Sequence, residues 1–77
     1  MNQKIYDDGD LEIWQRDGKY FLRYDAGAHQ IAIREDEISK EEVELVAKSV
    51  ESATKVLFAI QKRLEAEGIK PYRSNIK

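Results

Sequence analysis

The 77-residue sequence predicts a single α+β domain, in which an antiparallel sheet of three strands precedes a helical segment. Three stretches of the amino-terminal half alternate polar residues with β-branched or aromatic ones, which is the period of a half-buried strand. The carboxy-terminal half repeats apolar residues every three or four positions, which is the period of an amphipathic helix. A chain of this length can hold one hydrophobic core. We therefore expect a three-stranded antiparallel β-meander followed by one long or two short α-helices packed on one sheet face.

The three predicted strands cover about residues 10–17, 19–25 and 29–34. Asp17-Gly18 separates the first two strands and favours a two-residue type I′ turn, because this pair tolerates positive φ at both positions. The turn sets the register of the hairpin. The predicted pairs are Arg16 with Lys19, Trp14 with Phe21, Ile13 with Leu22, Glu12 with Arg23 and Leu11 with Tyr24.

This register divides the sheet into two faces, because successive side chains of a strand point to opposite sides. The apolar face is the expected core and contains Leu11, Ile13, Tyr20, Leu22 and Tyr24, joined by Ile31 and Ile33 if Tyr24 lies opposite His29. The second face has aromatic residues at its centre and charges around them: Glu12, Trp14, Arg16, Lys19, Phe21, Arg23, Gln30, Ala32 and Arg34. A cross-strand aromatic pair stabilises a sheet by up to about 1 kcal/mol. Such a pair also marks protein interfaces when it is exposed.

The helical segment is predicted over about residues 40–67. Ser39 and Glu42 have the spacing of a capping box, in which each side chain binds the backbone amide of the other residue. Gly68 has the position of a left-handed cap, and Pro71 lies just beyond it. Both ends of the segment are therefore specified.

One uninterrupted helix of this length would extend about 40 Å, whereas a seven-residue strand spans about 23 Å. A break between Ser49 and Ser52 would remove the overhang, since either serine can cap a second helix. One helix and two helices both remain open. The predicted apolar stripe consists of Val43, Val46, Val50, Ala53, Leu57, Ile60 and Leu64.

Residues 69–77 form a polar tail that contains Tyr72 and Ile76. Leu45 and Phe58 lie outside the apolar stripe of the helical segment. We expect the amino-terminal residues or the tail to cover these two side chains.

Few residues are available for catalysis. The absence of cysteine excludes disulfides, thiolate zinc sites and thiol nucleophiles. His29 is the single histidine, and Asp25 lies close to it in sequence. General base catalysis also requires a nucleophile or oxyanion donors, and none is evident. We expect His29 to have a structural or interface role, and the protein to act by binding, without a cofactor, and not as an enzyme.

The charge is distributed unevenly along the chain. Residues 1–38 carry nine acidic and five basic side chains, and residues 39–77 carry six acidic and eight basic ones. Nucleic-acid-binding proteins usually have clustered surplus Lys and Arg, so a basic protein partner fits this balance better. Two acidic clusters stand out: Asp7, Asp8 and Asp10, and Glu35, Asp36 and Glu37. Neither has the alternate-residue pattern of a calcium loop, and we expect no metal.

No apolar run has the length of a membrane span, and the first residues lack the basic and apolar regions of a signal peptide. We expect a cytoplasmic protein that does not contact a membrane.

Two segments, RYDAGAHQIAIREDEIS at 23–39 and ATKVLFAIQKRLEAEGIKPYRSN at 53–75, resemble small immunity proteins. These proteins are encoded beside contact-dependent growth inhibition toxins and related polymorphic toxins of bacteria. The resemblance covers about residues 5–75 and carries no motif from which functional residues could be transferred. It implies a cytoplasmic toxin inhibitor that binds the carboxy-terminal toxin domain, commonly a nuclease, and blocks its active site.

An acidic surface can enter the basic cleft of a nuclease by mimicking phosphate. The predicted register places the first acidic cluster near the Tyr24 end of the sheet and the second near the Asp17-Gly18 turn. We expect Trp14 and Phe21 to be anchors, with Arg23 or Arg34 at the rim. The candidate partner-binding residues are Asp7, Asp8, Asp10, Trp14, Phe21, Arg23, Glu35, Asp36 and Glu37. The alternatives are a nucleic-acid or regulatory binding module that uses the aromatic face, and a homodimer formed through it.

Overall fold

The computed structural model describes residues 2–27 and 31–75. It consists of a four-stranded antiparallel sheet in the order β1-β2-β3-β4 and two helices packed on one of its faces. The α+β class and the antiparallel meander are confirmed. The elements are β1 Gln3–Asp7, β2 Glu12–Arg16, β3 Lys19–Asp25, β4 Ile33–Ile38, α1 Lys40–Lys48 and α2 Val50–Ala66.

The prediction of three strands was wrong, because β1 precedes them. Lys4 of β1 lies opposite Trp14, and Tyr6 lies opposite Ile13, with an irregularity of the β-bulge type between these two pairs. Four of the five β1 residues are exposed, and only Tyr6 is half-buried. An exposed edge strand lacks the apolar alternation that reveals a strand in sequence. The missing pattern explains why β1 was not predicted.

The last strand also lies further along the chain than predicted. It begins at Ile33, and Tyr24 pairs with Arg34 and not with His29. His29 itself lies outside the described residues. The strand continues to Ile38, which is a buried core residue, whereas Ile33, which was predicted to be in the core, is only half-buried and lies opposite Asp25. β4 contains the charged run REDE, and this polar stretch lacks the apolar alternation from which a strand is predicted in sequence.

A local hydrogen-bond network sets this longer connection between β3 and β4. Asp25 Oδ1 accepts hydrogen bonds from the backbone amides of Gly27 and Ala32, both at 2.9 Å. Ala32 is thereby held outside the strand, and Ile31 is 81% exposed instead of joining the core.

The β2–β3 hairpin agrees with the prediction. Asp17 and Gly18 adopt φ values of 51° and 76°, as a type I′ turn requires. β2 begins at Glu12, so the predicted pairing of Leu11 with Tyr24 lies beyond its end. The observed pairs are Glu12 with Arg23, Ile13 with Leu22, Trp14 with Phe21, Gln15 with Tyr20 and Arg16 with Lys19.

The helical segment is broken at Ser49, so the two-helix alternative is correct. The predicted capping box is present: the Glu42 amide donates to Ser39 Oγ at 3.2 Å, and the Ser39 amide donates to Glu42 Oε1 at 2.9 Å. Ser49 caps α2 by accepting the Ser52 amide at 3.1 Å. Neither helix of the described chain has the length and apolarity needed to cross a membrane.

The break changes which residues of α2 face the sheet. Val50, predicted to be in the apolar stripe, is 82% exposed, whereas Val56, outside the predicted stripe, is 2% exposed. Restarting the helix at Ser49 shifts its phase relative to α1, and a single continuous period cannot describe both helices. The resulting core consists of Ile13, Leu22, Tyr24, Ile38, Val46, Ala53, Val56, Ile60 and Leu64.

After α2 the chain turns back towards the sheet. The Ile69 amide donates to the Leu64 carbonyl at 2.8 Å and the Gly68 amide to the Glu65 carbonyl at 3.0 Å, which is a Schellman motif. The tail then reaches β4, where Ser74 Oγ donates to the Ile33 carbonyl at 2.6 Å. The described part of the tail is therefore ordered against the sheet.

The expectation that Leu45 and Phe58 would be covered was wrong. Leu45 is 39% exposed and Phe58 is 58% exposed. Both lie on the outer surfaces of the two helices.

Candidate protein-binding surface

The sheet face opposite the helices carries the predicted aromatic pair. We call this surface the open face. Trp14 on β2 has two cross-strand neighbours, Lys4 on β1 and Phe21 on β3. Glu35 and Glu37 of β4 lie opposite Arg23 and Phe21. By this register the open face contains Lys4, Asp7, Glu12, Trp14, Arg16, Lys19, Phe21, Arg23, Glu35 and Glu37.

The two aromatic rings are flanked by cations. The Arg16 guanidinium carbon lies 4.1 Å from the centre of the Phe21 ring, and that of Arg23 lies 5.1 Å from the centre of the Trp14 ring. Lys4 Nζ lies 5.9 Å from the Trp14 ring. All three distances are within the range of cation–π attraction. Both rings are half-buried, so they still offer apolar area to a partner.

Glu35 holds the two arginines of the open face in place. Arg23 donates to Glu35 Oε2 through Nη2 at 2.9 Å and through Nε at 3.2 Å. Arg16 Nη2 donates to the other carboxylate oxygen, Oε1. The Glu35 side chain is only 10% exposed. Glu35 therefore does not offer a free negative charge, and its function in the fold is to orient Arg16 and Arg23.

Asp36 lies on the opposite face, because neighbouring residues of a strand point to opposite sides. It forms an ion pair with Arg34 at 2.8 Å and accepts a hydrogen bond from the Tyr24 hydroxyl at 2.6 Å. Arg34 is 4% exposed and also donates to the Arg73 carbonyl at 2.7 Å. The prediction that Arg34 lies on the second face was wrong, because β4 starts later than expected and places Arg34 beside Tyr24.

The buried network shifts the pKa of each of its members. Burial acts to raise the pKa of Asp36, but the hydrogen bonds from Arg34 and Tyr24 outweigh it and lower the pKa below its ordinary value. Burial, with the Asp36 carboxylate nearby, raises the pKa of Tyr24. The hydrogen bonds to Asp36 raise the pKa of Arg34. The network is consequently a charged pair with a neutral phenol at neutral pH.

The side chains of the second acidic cluster therefore alternate between the two faces of the sheet. Glu35 and Asp36 are neutralised on different faces of the sheet, and Glu37 is the exposed member of the cluster. Glu37 pairs with Phe21, towards the Asp17-Gly18 end as predicted.

The first acidic cluster forms the turn between β1 and β2, at residues 7–10, which we call the acidic turn. Asp8 Oδ1 accepts the amides of Asp10 at 2.9 Å and Leu11 at 2.8 Å, and these backbone donors lower the pKa of Asp8. Asp7 forms an ion pair with Lys4 at 2.9 Å, which lowers the pKa of Asp7. The Asp10 carboxylate makes no hydrogen bond or ion pair with residues 2–27 and 31–75.

The acidic turn borders the open face. Asp10 lines a shallow depression together with Glu12 and Arg23, close to Tyr24 and Ile33. The predicted location near the Tyr24 end of the sheet is in agreement with this arrangement. Lys4 was missed by the sequence reasoning because β1 was missed, whereas Arg16 was already placed on this face by the hairpin register.

The described side chains do not form a metal-binding group: no three His, Asp or Glu residues within 2–27 and 31–75 are grouped to hold an ion. The surface is instead a half-buried aromatic pair with ordered cations and an adjacent acidic turn. Comparison with known proteins found no matching family, no matching curated protein and no matching solved structure. The resemblance to immunity proteins stays a prediction from the sequence.

Proposed function

We propose that the protein is a cytoplasmic inhibitor that binds a basic toxin domain, such as a nuclease, and neutralises it by protein association and not by catalysis. The observation that carries the proposal is the open face, where Trp14 and Phe21 stand side by side opposite the helix-covered core face. The sequence resemblance supports the choice of partner.

The composition of the open face favours protein binding. Trp and Arg are enriched among the residues whose truncation weakens protein complexes most. Arg16 and Arg23 are already held by Glu35, so they lose less conformational freedom when a partner docks. An ordered rim around two aromatic anchors is suited to tight association.

The acidic turn provides the complementary charge. Asp10 is exposed and unpaired among the described residues, and Asp8 is held in one orientation by backbone amides. A toxin with a basic cleft would be attracted to this end of the open face.

Co-expression tests the function directly. The toxin domain encoded beside this protein should arrest growth when produced alone, and growth should recover when the protein is produced with it. The two purified proteins should form a one-to-one complex in titration calorimetry. A neighbouring gene that encodes no toxic domain, or a toxic domain that the protein neither binds nor neutralises, would contradict the proposal.

A nucleic-acid or regulatory binding module is the alternative function. The cation–ring contacts on a sheet face favour it, because single-stranded binders stack bases on such rings. Arg16 and Arg23 are paired with Glu35, however, which leaves less positive charge for phosphates. Anisotropy with a labelled single-stranded RNA distinguishes the two functions, since nucleic-acid binding weakens steeply with salt and depends on Trp14. Sedimentation of the protein alone tests the homodimer.

A further inference from the structure

A groove lies between the acidic turn and the connection of the two helices, on the side of the sheet that the helices cover. We call it the elbow groove. It has a volume of about 450 Å³, within the range of about 300–1,000 Å³ that is typical of ligand clefts. Its apolar lining includes Leu11, Val46, Val50, Ala53 and Leu57.

The lining of the elbow groove leads from the core to solvent. Val46 and Ala53 are buried members of the core, and Leu11 and Leu57 are partly buried against it. Val50 is 82% exposed, because the break at Ser49 makes it the first residue of α2. An apolar side chain that enters the groove would therefore contact a continuous apolar surface and remove Val50 from water.

The charges around the elbow groove have one sign. Asp8 and Asp10 line it, and none of the described residues that line it is a lysine or an arginine. The amino terminus of α2, which also borders it, is capped by Ser49, whose Oγ accepts the Ser52 amide. The groove is thus apolar inside and negative at its edge.

We propose that the elbow groove binds an apolar side chain that is flanked by lysine or arginine in a partner protein. The apolar residue fills the space between Leu11 and Leu57, and the basic neighbours face Asp8 and Asp10. If the partner is the toxin domain, this contact adds to that of the open face, because both surfaces adjoin the acidic turn. The identity of that partner rests on the proposed function, but the chemistry of the groove does not.

A peptide titration tests the elbow groove without the toxin. The probe is a heptapeptide with a central leucine, two lysines on each side and a glycine at each end, added to the nitrogen-15-labelled protein. We expect saturable amide shifts at Ala47, Val50 and Thr54, which line the groove. Replacing the central leucine by serine, or the four lysines by glutamates, should weaken binding at least about ten-fold.

Two matched variants locate the binding site. Ala47 and Ala59 are both exposed helical alanines, but only Ala47 lines the elbow groove. Ala47→Arg should weaken binding of the leucine peptide at least about ten-fold, because the long side chain and its charge occupy the groove. Ala59→Arg should leave binding unchanged.

Several results would overturn the inference. The serine peptide could produce the same amide shifts as the leucine peptide, or the shifts could lie outside the groove. The two arginine variants could lose peptide binding equally. The groove amides could also shift with protein concentration in the absence of peptide, which would show that a second copy covers the site. Peptide binding with no toxin binding would refute the proposed function and leave the groove intact. Toxin binding without peptide binding would refute the inference about the elbow groove and leave the proposed function intact.

Discussion

Asn75 and Glu35 are joined by two hydrogen bonds that imitate a strand pairing. The Glu35 amide donates to Asn75 Oδ1, and Asn75 Nδ2 donates to the Glu35 carbonyl, both at 2.7 Å. Ser74 binds the Ile33 carbonyl two residues earlier on the same edge. The tail therefore covers outward-facing backbone groups of β4 that an exposed edge strand would offer to another chain.

Asn75→Ala should lower the free energy of unfolding by about 1–2 kcal/mol, since each hydrogen bond contributes roughly 0.5–1.5 kcal/mol. Urea denaturation followed by far-ultraviolet circular dichroism measures the change. Asn2→Ala is the matched control, because Asn2 is exposed and precedes β1. Equal stability of the two variants would show that the Asn75 contacts do not contribute.

Asp36→Asn should destabilise the fold by about 2–4 kcal/mol, because it leaves the buried Arg34 guanidinium without its counter-charge. Chemical denaturation at neutral pH tests this expectation. Glu37→Gln, at the exposed neighbouring position, should change stability by less than about 0.5 kcal/mol. A small effect at Asp36 would mean that water enters the site and solvates Arg34.

The ion pair between Asp36 and Arg34 also predicts that the stability of the fold depends on pH. The pKa of Asp36 is lower in the folded protein than its ordinary value, so the folded state binds this proton less readily than the unfolded state. The contribution of Asp36 is fully present above the unfolded carboxyl pKa of about 3.9, and it is lost as the pH falls through the folded pKa. The stability difference between the parent protein and Asp36→Asn should stay nearly constant between about pH 6 and pH 5 and should shrink as the pH falls from about 4 to 2.5. A constant difference over this range would contradict the assignment.

Trp14→Ala should weaken binding of the toxin domain by at least about 2 kcal/mol, or roughly 30-fold in Kd, if the open face is the interface. Phe58→Ala is the control, since Phe58 is a large exposed aromatic residue on α2. Calorimetry measures both affinities, and circular dichroism verifies that each variant is folded. Equal affinity of the two variants would remove the open face from the interface.

Ser49→Ala should cost about 1 kcal/mol, because it removes the side-chain acceptor that caps α2. Ser49→Asp should retain stability, since aspartate also accepts an amide at this position. Thermal unfolding of both variants and of the parent protein measures these differences in stability. An alanine variant as stable as the parent would indicate that packing alone maintains the break between the helices.

Local signals in the sequence predicted the features that depend on neighbouring residues. The Asp17-Gly18 turn determined the hairpin pairing, and with it the position of Trp14 opposite Phe21. The capping box at Ser39 depends only on residues three apart in sequence, and it was predicted for the same reason. The predicted pairing of Trp14 with Phe21 was therefore correct.

The features that were mispredicted depend on distant contacts. β1 is recognisable only through its pairing with β2, since most of its side chains are exposed. Glu35 and Asp36 form one acidic run in the sequence, but Arg23 and Arg34 neutralise them on opposite faces. The run of acidic residues in the sequence did not reveal that arginines from elsewhere in the sheet form ion pairs with them.

The sequence by itself determined the α+β class, the hairpin register and the start of the helical segment at Ser39, because turns and caps are satisfied by residues a few positions apart. Only the tertiary structure decided the register of β4, the burial of Arg34 and the attachment of Asn75 to the sheet edge. These features join segments about 10 to 40 residues apart, and their free energy comes from pairing backbone and charged groups that would otherwise be left unsatisfied.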